Sequence, residues 1–188
     1  ETFRTALAGD SKEFRESSSS LFFAFGLALV LIYLILAAQF ESFKDPFVIM
    51  LTVPLAIAGA LIFMLVGGET MNIFSQIGII MLIGLVAKNG ILIVEFAKQR
   101  HENGMSITEA AIDGAKARLR PILMTSFAFI FGLIPLCTSS GAGAVGNVSI
   151  GIAAVGGMFI GTLFGVFIIP IMYILFQNLD SKLSKKRA

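Results

Sequence analysis

A lysine and an asparagine lie side by side in an apolar stretch, GLVAKNGILIVEF, that runs from Gly84 to Phe96. The rest of the stretch has the composition of a membrane-spanning helix. A lysine at the centre of such a helix costs about 2.5 to 3.5 kcal/mol on insertion scales, and ionisable groups at that depth usually mark an ion or substrate path. Lys88 and Asn89 are therefore the first candidates for a functional site.

Lys88 has no carboxylate beside it on its own helix. Lys98 is the next basic residue, and the spacing places Lys88 about 15 Å deeper in the membrane. Glu95 lies about 10 Å away along the helix axis, which is too far for direct contact. Two interpretations remain open. Lys88 is either a structural lysine bound to carbonyls of neighbouring helices, or part of an ion path whose acidic partner lies on a helix outside this chain.

The composition indicates an all-α membrane protein. Of the 188 residues, 56% are hydrophobic and 14% are charged, and the mean hydropathy is +0.90. A net charge of +2 is too small to indicate nucleic-acid binding, and the single cysteine, Cys137, can form neither an internal disulfide nor a metal cluster. The motifs HExxH and GxSxG and the P-loop are absent. We therefore expect no enzyme and no cofactor, and any pumping must draw on an ion gradient.

Five segments are long enough to cross about 30 Å of hydrocarbon. They are predicted at residues 18–38, 47–66, 72–97, 121–137 and 145–176. Asp45 and Pro46 are expected to provide the N-cap and first-turn proline of the second span. Ser106 and Glu109 form a predicted capping box that opens a short amphipathic helix, residues 106–118, on the cytoplasmic surface. That helix is either a coupling arm or a plain connector.

Lysine and arginine are unevenly divided between the two sides of these spans, which predicts the orientation. One side holds ten of them: Lys44, Lys98, Arg100, Lys116, Arg118, Arg120, Lys182, Lys185, Lys186 and Arg187. The other side holds three, all within residues 1–16. The C-terminal tail, residues 179–188, is therefore predicted to be cytoplasmic and the N-terminus periplasmic. The chain opens without a signal-peptide pattern, so we expect an upstream span in a larger protein.

Three further features accompany the spans. Thr125 lies about 7 Å into the membrane past Arg120 and could line a path, although a helical threonine often bonds its own chain four residues back, here at Pro121. Arg118 is either a participant in that path or a positive-inside anchor. The last span carries a stripe of small residues that permits close helix packing. Its members are Gly157, Gly161 and Gly165.

Several stretches together resemble the resistance–nodulation–division (RND) superfamily, and most closely its hydrophobe/amphiphile efflux pumps of Gram-negative inner membranes. They are AAQFESFKDPF, GLVAKNGILIVEFAKQR, RLRPILMTSFAFIFGLIPL and SSGAGAVGN. The resemblance covers residues 17 to 176. It implies a multi-pass inner-membrane protein in which these five helices are spans eight to twelve, most of the second half of a twelve-span bundle. Residues 1–16 would then be the end of a periplasmic domain.

The resemblance also assigns roles within the membrane. The two halves of the family are related by duplication, and the fourth span of the first half carries an acidic pair. Lys88 and Asn89 match the positions of that pair in the second half, so the resemblance implies that they face the carboxylates across the bundle. Thr125 and Arg118 match relay residues of the following span. The outer loop TSSGAGAVGN is slightly shorter than the family pattern, which leaves the substrate range open.

The function implied is that of a proton-driven drug/H⁺ antiporter. Its partners would be the missing N-terminal half with its acidic pair, two further copies in a homotrimer, a periplasmic adaptor and an outer-membrane channel. Its substrates would be amphiphilic drugs, with the lipid bilayer as surroundings and no nucleic acid. Two alternatives stay open: a lipid or metal-ion exporter of the same superfamily, and a membrane assembly module without transport.

Overall fold

Six helices make up the described part of the chain, and residues 10–185 contain no β-strand in the computed structural model. Backbone is described for residues 10–185 and side chains for residues 20–179. The helices are α1 (Asp10–Phe40), α2 (Asp45–Met50), α3 (Thr52–Gly67), α4 (Ile73–Glu102), α5 (Ile107–Cys137) and α6 (Ala144–Lys185). Most of the predicted segments 1–16 and 179–188 lies outside the described side chains.

Five stretches of these helices are long and apolar enough to cross a membrane. They are Ser20–Phe40, Asp45–Gly67, Ile73–Glu102, Ile107–Cys137 and Ala144–Leu179. Each stretch contains one predicted span, except that residues 18, 19 and 72 of the predicted spans precede the corresponding stretch. The prediction of an all-α protein with five candidate spans is confirmed. Local capping motifs explain where two of these helices begin and end. Asn72 caps the start of α4 in a reciprocal capping box with Ser75. Gly68, with φ 70°, ends α3 in a Schellman motif.

The second span begins differently from the sequence prediction. The N-cap position belongs to Lys44, Asp45 is the first helical residue and is buried, and no side-chain bond caps this helix. The helix is also interrupted at Leu51, between α2 and α3. Pro54 explains this interruption because it has no N–H to donate to the Met50 carbonyl one turn earlier. The predicted N-cap at Asp45 is therefore wrong by one residue.

Residues 106–118 do not form a separate helix. Ser106 caps α5 as expected, accepting from the Glu109 N–H at 3.3 Å, although the Glu109 carboxylate accepts from the Ser106 hydroxyl instead of reaching back to the backbone. The helix then continues without a break through Pro121 to Cys137. A proline removes only one backbone donor, and neighbouring contacts sustain the helix across it. The amphipathic segment and the fourth span therefore form one continuous helix.

Helix α6 is the packing centre of the bundle and contacts α2, α3, α4 and α5. Glycines let the backbones approach closely: a Cβ at Gly156 would lie 3.0 Å from the Gly59 carbonyl oxygen, and one at Gly157 2.9 Å from that of Ala56. A Cβ at Gly161 would lie 3.2 Å from side-chain atoms of Ala56 and of Val86. The predicted small-residue stripe is thus used for packing at Gly157 and Gly161, whereas a Cβ at Gly165 would meet only Ile169 of its own helix, 3.8 Å away.

Polar side chains fasten α6 at three levels. Near one end, Ser149 donates to Glu69 at 2.7 Å and accepts from Asn72 at 2.8 Å. In the middle, Thr162 is bonded to α4 and α5. Near the other end, Gln177 donates to the Asp45 carboxylate at 3.3 Å. Helix α1, in contrast, contacts only α2 and α4 among the described elements.

Candidate functional site

Lys88 lies on an exposed face of α4, here called the open side, which also carries Gly84. It is exposed although it lies midway along α4, the helix with the largest buried share among the five candidate spans. A Cβ added at Gly84, one turn earlier, would meet no neighbouring atom within 4 Å, so the surface around the lysine is open. Within residues 20–179 the Lys88 ammonium makes no hydrogen bond and no ion pair. The lysine is therefore exposed and has no polar partner among the described residues.

Asn89 points the opposite way, into the bundle. It is 6% exposed, and its amide nitrogen lies 3.3 Å from the Ser126 hydroxyl and 3.4 Å from that of Thr162. Thr162 also donates to Ser126 at 3.0 Å. Neighbouring residues on a helix diverge by roughly 100°, which explains how Lys88 and Asn89 separate. The side chains of Asn89, Ser126 and Thr162, here called the polar triad, join α4, α5 and α6.

The same division occurs on α5, where Thr125 is exposed and Ser126 is 2% exposed. The Thr125 hydroxyl donates to the Ile122 carbonyl at 3.0 Å, so the expected intrahelical bond forms three residues back and not at Pro121. A hydroxyl bound to its own helix still has lone pairs for a second partner. Thr125 therefore stays available on the outer surface of α5.

Arg118 is half-buried and lies over an aromatic ring. Its guanidinium carbon is 4.4 Å from the centroid of the Phe96 ring, and Arg100 lies 5.2 Å from the same centroid. The Nε atom of Arg118 is buried without a hydrogen-bond partner among the described residues. This cation–π interaction ties α5 to α4. Arg118 is thus more closely engaged with the bundle than a simple surface anchor.

The structure separates the four predicted site residues into two groups. Lys88 and Thr125 lie on exposed surfaces, whereas Asn89 belongs to the polar triad and Arg118 to the contact with Phe96. Ser126 and Thr162 were not predicted from the sequence. The sequence shows that they follow Thr125 and Gly161, but it does not show how each helix is rotated relative to its neighbours, and so which of its side chains face the interior. The roles of all four residues in a proton relay stay predictions.

The described helices thus form a bundle of candidate membrane spans with an ammonium on its surface and hydrogen-bonded polar side chains in its interior. The family described as AcrB/AcrD/AcrF matches residues 1–177. The chain belongs to this family of RND efflux transporters.

Curated relatives agree with this assignment. An uncharacterised transporter of Haemophilus influenzae is 47% identical over 171 residues, covering 87% of this chain and 17% of the relative. The toluene efflux pump membrane transporter TtgB of Pseudomonas putida is 43% identical, covering 91% and 16%. The multidrug resistance protein MdtF of Escherichia coli K12 is 41% identical, covering 86% and 16%. The chain thus spans about one sixth of the length of these relatives.

Proposed function

We propose that this chain forms most of the second half of a twelve-span, proton-driven drug/H⁺ antiporter and that Lys88 is its contribution to proton coupling. The observation that carries the proposal is the exposure of Lys88 without a polar partner among the described residues. Its ammonium lies on an exposed surface of an apolar helix, while the neighbouring Asn89 is satisfied inside the bundle. Since an unpaired charge in hydrocarbon is costly, this surface calls for an acidic partner.

The partner we propose is the acidic pair of the missing first half. When both carboxylates are ionised, they hold the Lys88 ammonium by charge and hydrogen bonds. Protonation of one of them weakens this attraction and releases the lysine. Because Asn89 fastens α4 to α5 and α6, a shift of α4 passes to both helices. Proton binding and helix movement are coupled in this way.

Thr125 and Arg118 would serve the route between Lys88 and the cytoplasm. Thr125 lies on the exposed surface of α5, about 10 Å along the helix axis from Arg118. We propose that the Thr125 hydroxyl supports a water path to the carboxylates. Arg118, held over Phe96, fixes the cytoplasmic end of that route.

The test is drug efflux driven by an imposed pH gradient in proteoliposomes of the full-length transporter. We expect Lys88→Ala to abolish coupled efflux with trimer assembly intact. Lys88→Arg should fail almost as badly, since a planar fork replaces a compact donor. Thr125→Ala should lose part of the rate and Thr125→Ser very little. Normal coupled efflux by Lys88→Ala would reduce this residue to a structural lysine.

The names of the relatives favour drugs and solvents as substrates, and we propose a periplasmic adaptor and an outer-membrane channel as partners. A lipid or metal-ion exporter is the first alternative, and transport of amphiphilic drugs in the same assay decides against it. An assembly module without transport is the second, and it predicts that no substitution at Lys88 affects efflux.

The orientation we propose puts the α5–α6 loop in the periplasm and the α4–α5 loop in the cytoplasm of an inner membrane. Ala142 and Met105 are exposed in these two loops. Single cysteines at each position, in a variant lacking Cys137, should differ in whole cells treated with a membrane-impermeant maleimide. We expect labelling at position 142 only. Labelling at position 105 alone would reverse the orientation.

A further inference from the structure

A groove between α5 and α6 lies apart from Lys88 and the polar triad. It has a volume of about 280 Å³. Ile112 and Leu119 line it from α5, and Phe167 and Ile171 line it from α6, each of them with an exposed side chain. Among the described residues, Lys116 is the single charged one in the groove's lining. An apolar channel with a cation at its rim has the two chemical parts of an amphiphile-binding site.

The groove lies at the level where hydrocarbon gives way to headgroups. Counted back from Cys137 at the end of α5, Arg120 and Lys116 lie about 26 and 32 Å along the helix. Counted from Gly151, the residue of α6 that packs against Cys137, Phe167 lies about 24 Å along the helix. The hydrocarbon layer is about 30 Å thick. The two basic side chains therefore reach the lipid phosphates on the side where α4 ends and α5 begins.

The charge at this end of the groove is positive. Lys116 and Arg120 are one helical turn apart and both are exposed. Asp113, the acidic residue nearest to Lys116 along α5, is bound to Arg100 at 3.0 Å. The two cations are left to attract an anion from the membrane surface. A zwitterionic headgroup, without net charge, would gain less from them.

We propose that this groove binds an anionic phospholipid, with its phosphate at Lys116 and Arg120 and one acyl chain between Leu119 and Phe167. Basic pockets between membrane helices on the cytoplasmic side are suited to anionic headgroups, and the apolar walls are suited to hydrocarbon. The inference depends neither on proton coupling nor on drug transport. It assigns a function to the junction where the amphipathic part of α5 enters the membrane.

Photo-cross-linking tests the proposal in the full-length transporter. Phe167 is replaced by benzoylphenylalanine, and the protein is reconstituted in equal amounts of phosphatidylglycerol and phosphatidylcholine with identical chains. Mass spectrometry then measures the ratio of the two lipid adducts. We expect phosphatidylglycerol to exceed phosphatidylcholine at least about threefold, because two cations contribute at the surface. The matched control places the same probe at exposed Phe131, near the other end of α5, where we expect a ratio near one.

The double variant Lys116→Gln/Arg120→Gln should bring the ratio at position 167 down to that of the control. Both side chains are exposed, so the fold should be unaffected. The exchange Lys116→Arg/Arg120→Lys keeps both charges and should preserve the enrichment. Equal adducts at position 167 without any substitution would overturn the proposal. A cross-link to another protein segment, or enrichment that survives the double variant, would overturn it too.

Discussion

Lys88 and Thr125, here called the outward pair, directly precede Asn89 and Ser126, two members of the inward polar triad that Thr162 completes, but the pair and the triad differ in environment. The triad is at most 6% exposed and joins three helices by mutual hydrogen bonds. The outward pair is exposed, and the Thr125 hydroxyl donates within α5. One residue of helical rotation thus separates groups that bond the helices to one another from exposed groups that have no polar partner on another described helix.

The glycines show the same contrast. On the closed side, where α6 packs against α3 and α4, a Cβ at Gly157 would meet both backbone and side-chain atoms. On the open side, a Cβ at Gly84 would meet no atom of the described residues within 4 Å. Gly157 is thus packed between α3 and α4 of this chain. The open side has the polar group and the empty surface that a second helical unit would require.

The largest expected effect is a substitution at a packed glycine. In Gly157→Ala the new Cβ would meet Leu82 and would lie 2.9 Å from the Ala56 carbonyl oxygen, so α3 and α6 must separate. We expect a loss of about 1–3 kcal/mol in the free energy of unfolding, the usual cost of overpacking. SDS-induced unfolding in mixed micelles, followed by circular dichroism, measures it. Gly84→Ala is the matched control and should be neutral or slightly stabilising.

The contrast between these glycines can be sharpened with a larger side chain. Gly84→Leu should leave the 188-residue chain stable, because no described residue lies in its way. In the full-length transporter it should impair assembly or transport if the first half packs on this surface. A Gly84→Ala variant as unstable as Gly157→Ala would show that the open side is occupied within the chain itself.

The second effect concerns the threonines. Thr162→Val keeps the shape of the side chain but removes its bonds to Ser126 and Asn89. We expect a loss of about 1 kcal/mol, typical of interhelical hydrogen bonds in membranes. Thr125→Val removes only a bond within α5 and should change the free energy of unfolding by less than half as much. Equal losses in the two variants would mean that the triad contributes no more than a local bond.

The smallest effect is expected at Lys88. Lys88→Met should be neutral or stabilising in the isolated chain, because the ammonium has no partner among residues 20–179. Lys98→Met is the control: its ammonium donates to the Phe40 carbonyl at 2.6 Å, and its loss should destabilise the chain. A clear loss of stability in Lys88→Met, measured in the same unfolding assay, would reveal a partner within this chain.

Apolar length was sufficient to predict all five spans, and residue spacing singled out Lys88. The sequence pattern gave the wrong helix start at Pro121, because a proline after polar residues predicts a helix boundary when the neighbouring helices are unknown. It also could not distinguish Thr125 from Ser126, since the composition of one helix does not specify its rotation against two others. The partners of Asn89 lie 37 and 73 positions along the chain, and only the fold brings them together.

The three levels at which α6 is bonded have a consequence for its mobility. Ser149, Thr162 and Gln177 are separated by about 20 and 22 Å along the axis. They bond to the connection between α3 and α4, to α4 and α5, and to α2, respectively. A slide of one turn, about 5.4 Å, would break all three sets of bonds in the same step. A gradual sliding of α6 along its axis is therefore disfavoured. A change in its register would be a single discrete step that alters contacts near both ends of the helix.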